Sequence, residues 1–344
     1  MLRDKEGCGP QHHDSNVKWL QVQQRETLAC RGLLERNPRM VRTNTARQIL
    51  PKRVLVATDF SVSSQIALSY ALAVARRYGS KIYLAHVISP GLFRSVPREV
   101  RTEALKRTRE HVRHEMSDLV RLAELRKFRH QTVIEEGDIA ASMLRLVREH
   151  AIDLLVMGTR GHRGVKRMLL GSVAEKLFRQ SPSPVLIVPP RADEHIRIGR
   201  ILYPTDFSKH SLQVAPYALS LARHFRAKLI LLHVVQGVAI HSVAELNRRR
   251  GQVETRLRRS VLGKAHLEQK PVVDVEFGEP ARKIRKAAAE WQSDLVVLGV
   301  RKGKTAVAHL TEGTAYQVVR QAPCPVLAIC NTRVGHKKAV ATGA

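Results

Sequence analysis

The chain has 344 residues and carries 59 Lys and Arg against 30 Asp and Glu, a formal net charge of +29. That length predicts two domains, each of about 135 residues and large enough to bury its own core. The charge predicts weak, salt-sensitive attraction to polyanions, and no apolar run approaches the roughly 20 residues that a membrane span needs.

The opening MLRDKEG is charged where a secretory leader would be apolar, so a cytoplasmic location is expected. Aromatic residues are only 4% of the chain, which leaves Val, Leu, Ile and Ala to build the cores. Cys8, Cys30, Cys324 and Cys330 have neither disulfide nor metal-ligand spacing and read as small core residues or free thiols. Cys8 with His12 and His13 lacks a fourth ligand, and no metal site is assigned.

Residues 1–50 carry no sustained hydrophobic period and are expected to form a basic, disordered tail with at most one short helix, around Lys18–Arg31. From Pro51 onward, short β-branched runs alternate with helical ones. Val54–Ala57 is a predicted strand, and Ser61–Tyr78 a helix with Ser at its start and Gly79 just past its end. Strand Ile82–Val87 follows. Next comes a long basic helix with its apolar face on Leu105, Thr108, Val112, Met116, Leu119 and Ala123. Strand Thr132–Glu135, helix Ile139–His150 and strand Leu154–Met157 lead into a Gly-rich loop, helix Ser172–Ser181 and strand Val185–Val188.

The chain then repeats itself. RVLVATDFS at Arg53–Ser61 is answered by RILYPTDFS at Arg200–Ser208, and DLLVMG at Asp153–Gly158 by DLVVLG at Asp294–Gly299. SPVLIV at Ser183–Val188 is answered by CPVLAI at Cys324–Ile329. A period of about 140 residues is a duplicated domain, since solenoid repeats are much shorter. Second-unit strands are expected near Ile201–Tyr203, Leu229–Val234, Val272–Phe277, Leu295–Leu298 and Val326–Ile329. Strands alternating with helices imply right-handed crossovers and a parallel sheet covered on both faces. The expected fold is α/β: two tandem doubly wound, five-stranded, Rossmann-like domains over 51–190 and 198–331. Residues 191–197 form the linker and 332–344 a disordered tail.

In such sheets ligands bind beyond the carboxyl ends of the strands, where the strand order switches. Asp59 follows the first strand, His86 and Val87 end the second, and Gly158 ends the fourth. The loop from Gly158 to Ser172 reads GTRGHRGVKRMLLGS and ends at a helix start, where backbone amides favour negative charge. Arg160, His162, Arg163, Lys166 and Arg167 add positive charge. The position after the first strand reads ATDFS, which excludes the Gly-x-Gly of a dinucleotide fingerprint. In the second unit only three residues separate Gly299 from Gly303, one too few for a Walker A loop.

Gly158, two residues, Gly161, nine residues, then Gly171 and Ser172, with ATDFS before them and PVLIV after, resemble the ATP-binding branch of the universal stress protein family. The likeness extends over Pro51–Pro190 and Ile198–Asn331. It implies that Asp59 and a backbone contact from Val87 meet the adenosine moiety. Gly158, Gly161, Gly171 and Ser172 would then hold ribose and phosphates. Each residue also has an ordinary structural reading: Asp59 as a helix cap, the glycines as loop punctuation, Ser172 as an N-cap.

The second unit keeps Asp206, Val234, Gly299, Gly303, Gly313 and Thr314, but with one extra residue between its first two glycines and Lys302 where the middle glycine would align. That site is expected to be less complete. The resemblance implies a cytoplasmic stress regulator that binds ATP, with or without Mg²⁺. No nucleophile–base pair or carboxylate pair marks a catalyst, so at most a slow ATPase is expected. Each last strand would otherwise be an open edge, so the two units are expected to pair as an internal pseudo-dimer, with room for further self-association. The rival reading is a nucleotide-free scaffold or a polyanion-binding module that uses the basic surface. Specific nucleic-acid recognition is not expected, because no stacking aromatics or known module accompany the charge.

Overall fold

The computed structural model describes residues 51–159, 170–190, 192, 196–237, 242–263, 265–300 and 313–330. The two tails, Gly161, Gly303 and the basic residues between Arg160 and Arg167 lie outside these described residues.

The first unit runs β1 (Arg53–Ala57), α1 (Val62–Tyr78), β2 (Lys81–Ile88), α2 (Arg98–Leu122), β3 (His130–Glu136), α3 (Ile139–Glu149), β4 (Leu154–Gly158), α4 (Ser172–Gln180) and β5 (Val185–Val188). Its strands lie parallel in the order β3-β2-β1-β4-β5, so the order switches between β1 and β4. The second unit repeats the plan with β6 (Arg200–Pro204), α5 (Lys209–Leu212), α6 (Ala215–Phe225), β7 (Lys228–Val235) and α7 (Val243–Leu257). It continues through β8 (Val272–Phe277), α8 (Pro280–Glu290), β9 (Leu295–Gly299), α9 (Thr314–Gln321) and β10 (Val326–Ile329). The switch there lies between β6 and β9.

Local chemistry explains the boundaries. Ser61 caps α1 by accepting from Ser64 N, and Gly79 ends it at φ +64°, a left-handed conformation that costs glycine little. In α2 Val112, Met116 and Leu119 are buried and Val120 packs against the same core, while most of the remaining residues are exposed and charged. Successive strand residues alternate between two cores. Val54 and Val56 face the core that α1 and α6 cover, while Leu55 faces the one that α3 and α4 cover. At the amino ends of the strands, Asp153 Oδ2 accepts from Lys52 N and Arg53 N at 2.9 Å each. Asp294 Oδ2 does the same for Gly199 N and Arg200 N at 2.7 and 2.8 Å. This repeated carboxylate holds β4 beside β1, and β9 beside β6.

Among the described residues, one difference between the units lies in the first helix. Helix α1 is continuous, whereas its counterpart is divided into α5 and α6. Pro216 lies in the first turn of α6, where its missing N–H costs nothing; in a continuous helix its ring would clash with the carbonyl four residues earlier.

Strands β5 and β10 lie antiparallel, with Val326 opposite Ile187 and Ala328 opposite Val185, which joins the units into one ten-stranded sheet. On one face Arg77 Nε donates to His224 O at 2.6 Å, and Tyr78 meets Phe225 edge-on at 6.0 Å. On the other, Cys330 Sγ donates to Phe178 O at 2.9 Å. Cys324 and Cys330 are buried thiols, and burial pushes that of Cys324 up to about 12.

Candidate functional site

At the carboxyl end of β1 the chain turns through Thr58-Asp59-Phe60-Ser61. Phe60 N donates to Thr58 Oγ1 at 3.0 Å, and Thr58 Oγ1 lies 3.2 Å from Ser64 Oγ. Asp59 Oδ1 accepts from Ser61 N at 3.2 Å and from Ser61 Oγ at 2.5 Å. Ser61, not Asp59, is therefore the cap of α1, and Asp59 braces that cap from outside the helix. Phe60 takes φ +63°, a strain of about 1–2 kcal/mol for a residue with a side chain. Its ring stacks on His86 at 4.7 Å, and His86 Nδ1 donates to Thr58 O at 2.9 Å.

The second unit reproduces this turn. Phe207 has φ +58° and lies 4.5 Å from the His233 ring, while His233 Nδ1 donates to Thr205 O at 2.8 Å. Ser208 N donates to Asp206 Oδ1 at 3.0 Å. Here Arg256 also lies over the Phe207 ring, 4.1 Å from its centre. Burial above all, with a smaller push from Arg256, holds the His233 imidazole below its usual range; its bond to Thr205 O and the charge of Asp206 oppose this. The Phe–His pair fixes the Asp-bearing turn to the strand that carries Val87 or Val234. Sequence reasoning gave these four aromatic and imidazole side chains no role. The available signal was their recurrence at the same place in both copies.

Gly158 ends β4 against the first turn of α1: a Cβ there would come within 2.9 Å of Ser63 O. Gly299 lies less tightly against α5 and the start of α6: a Cβ there would be 3.3 Å from both Ser211 Cα and Val214 Cγ2. Gly171 N donates to Thr159 O at 3.1 Å, which brings the start of α4 back to the end of β4. Gly171 is the N-cap of α4 and Gly313 that of α9, so Ser172 and Thr314 are first-turn residues rather than caps. Neither glycine offers a side-chain acceptor, so among the described residues the first-turn amides of both helices lack the N-cap bond that Ser61, Asp138, Ser208, Ser242 and Glu279 supply elsewhere. Such amides suit an anion. Val87 is buried in β2, at 5% exposure.

In the second unit these residues meet around one cleft of about 330 Å³ at the β6/β9 switch. Asp206, Val234, Gly299, Gly313 and Thr314 all line it. Helix α8 adds Pro280 and Ile284, α9 adds Tyr316, and Phe178 enters from the first unit. His210, which stands where the first unit has Ser63, also lines the cleft. No group of three or more His, Cys, Asp or Glu side chains able to hold a metal ion occurs among the described residues. No helix among them is long and apolar enough to cross a membrane.

Residues 51–189 and 197–329 both match the model of the universal stress protein family. Among individual proteins, the chain is 30% identical over 140 residues to a universal stress protein of Methanocaldococcus jannaschii, an alignment covering 40% of this chain and 82% of that one. It is also 30% identical over 141 residues to one from Thermus aquaticus, covering 40% and 98%. A universal stress protein structure from Archaeoglobus fulgidus superposes with a TM-score of 0.61 at 20% identity, over 82% of this chain and 99% of that one; at that identity the likeness speaks for the fold alone.

Proposed function

The chain belongs to the universal stress protein family, as a member with two tandem copies of the domain, and from that premise we propose that it is an ATP-binding regulator of the stress response. One observation carries this reading. Five residues assigned to a nucleotide site from sequence, Asp206, Val234, Gly299, Gly313 and Thr314, line a single cleft at a strand-order switch. Apolar walls from β7 and α8 suit a nucleobase, Asp206 suits a ribose hydroxyl, and the uncapped first turn of α9 suits phosphate.

The first unit has the same framework: the Asp59 turn, Val87, Gly158, and Gly171 with Ser172 at the start of α4. It also has the uninterrupted glycine spacing, with Gly161 as its middle member. Any Mg²⁺ would arrive with the nucleotide, because the described residues form no metal cluster of their own. The roles of the individual residues, a cytoplasmic location and a regulatory rather than catalytic task are parts of this proposal.

The test is mass spectrometry of nucleotides released from the purified native protein, followed by titration with ATP and with GTP. Bound ATP, ADP or AMP and a preference for ATP are expected. A protein that co-purifies without adenine nucleotide, and takes up ATP no more tightly than inorganic triphosphate, would leave the polyanion-binding reading of the +29 charge in its place.

A further inference from the structure

The antiparallel pairing of β5 with β10 points the carboxyl ends of the two half-sheets in opposite directions. Each unit's ligand end therefore faces the region where the other unit's last helix finishes. Helix α4 runs to Gln180 just before β5, and its residue Phe178 reaches the second unit: its carbonyl accepts from Cys330 Sγ at 2.9 Å, and it lines the second cleft. A second contact reinforces the first. Counted back from Val185 and Val326, Glu175 and Tyr316 are counterparts, and they meet, with Tyr316 Oη donating to Glu175 Oε2 at 3.4 Å. Arg179 donates to Glu175 at 2.5 Å and lies 5.8 Å from the centre of the Tyr316 ring. Tyr316 itself lines the cleft.

We propose that the second cleft is a composite site, walled in part by Phe178 of the first unit, with Tyr316 braced by Glu175, so that ligand bound there also contacts the other domain. This rests on the nucleotide reading above. Its consequence is a link between the two units. Helix α4 presents its first turn, Gly171 and Ser172, to the first site and its last turn, Phe178, to the second. Ligand in the second cleft therefore tightens a helix that belongs to the first site. At Phe178's own counterpart stands Val319, a smaller side chain, so the two sites need not share this wall equally.

The experiment uses the full chain with ATP as probe. Asp59→Ala removes the first site, and calorimetry then reads the second cleft alone. In that background Phe178→Leu, which keeps apolar bulk for the first unit's core but withdraws the ring, should weaken ATP binding about tenfold. Independently, in Asp59→Ala without a core substitution, saturating ATP should slow hydrogen exchange at the Leu177–Ser181 amides of the first unit. Affinity unchanged within about twofold in Phe178→Leu, or protection confined to Gly313–Gln321, overturns the composite site. Wild-type protein that binds no ATP at all overturns the nucleotide reading with it. Binding present in the wild type but absent in Asp59→Ala overturns this inference alone.

Discussion

His210 donates through Nε2 to the carbonyl oxygen of Val300 at 2.5 Å, at the point where the second unit's glycine loop leaves β9. Its counterpart Ser63 instead backs directly onto Gly158. In the first unit the carbonyl equivalent to Val300, that of Thr159, accepts from the Gly171 amide at 3.1 Å and closes the loop onto the start of α4. The two copies thus anchor the same loop by different donors, one a backbone amide at the helix start and one an imidazole in the cleft wall.

The contact between Ser63 and Gly158 makes a sharp test of the first site's frame. Because a Cβ on Gly158 would lie 2.9 Å from Ser63 O, Gly158→Ala must push α1 away from β4. A loss of about 1–3 kcal/mol in urea unfolding is expected. Gly171→Ala is the control: Gly171 has φ −60°, and its new methyl would meet Thr159 O at an ordinary 3.5 Å. Equal stability of the two variants would refute the packing argument.

Stability should fall as the solution is made acid through the imidazole range, and His233 should account for part of the fall. Burial holds its pKa below the usual value of about 6.5, so the unfolded chain takes up the proton first as pH drops. The contribution of neutral His233 is complete above about pH 6.5, shrinks as pH descends towards the lowered folded value, and is constant below it. Urea midpoints at pH 8 and pH 5.5 measure the slope. His233→Asn should flatten it, and an unchanged slope would mean that other groups carry the acid sensitivity.

Most of the fold was legible because hydrophobic period and cap residues act locally. The edges of α1, β3 and β8 fall within a residue or two of where Ser61, Gly79 and the β-branched runs place them. The repeat made the second unit's strands equally readable. The break between α5 and α6 has its signal in Pro216, where the first unit has Ser69. At the site, Asp206, Gly299 and Gly313 could be picked out because their order matches a family pattern. The strain at Phe60 and Phe207 could not, since a positive φ at a residue other than glycine leaves no mark in composition, although the Phe and His residues recur at the same places in both copies. Phe178 was equally invisible. It reaches the second cleft through a strand pairing whose direction the sequence of either unit alone does not encode.

The two halves should recognise each other when made as separate chains. Strands β5 and β10 would each become an open edge, and the buried partners Phe178 and Cys330 would lose their contact. A one-to-one complex is expected on sedimentation when residues 51–196 and 197–331 are mixed. In the intact chain the connector raises the effective concentration into the millimolar range, about 1 mM or more. Halves that stay monomeric when mixed would contradict a stable pseudo-dimer.

On the nucleotide reading proposed above, the two sites should be unequal, with the first the tighter. The first loop keeps the uninterrupted glycine spacing of the family pattern, whereas the second carries an extra residue and Lys302 in place of the middle glycine. A residue with a side chain at positive φ costs about 1–2 kcal/mol, a factor of roughly ten to thirty in affinity. His210 adds to this, because its imidazole fills part of the cleft wall and occupies the Val300 carbonyl. Lys304 offsets a fraction by its charge, so the second site should be weakened rather than lost. Calorimetry on Asp59→Ala and Asp206→Ala proteins separates the two. Asp59→Ala should remove the tighter phase, Asp206→Ala the weaker one, and His210→Ser should bring the weaker phase about threefold closer to the other. Binding that vanishes with Asp206→Ala and survives Asp59→Ala would reverse the ranking, and with it the claim that glycine spacing sets affinity in this protein.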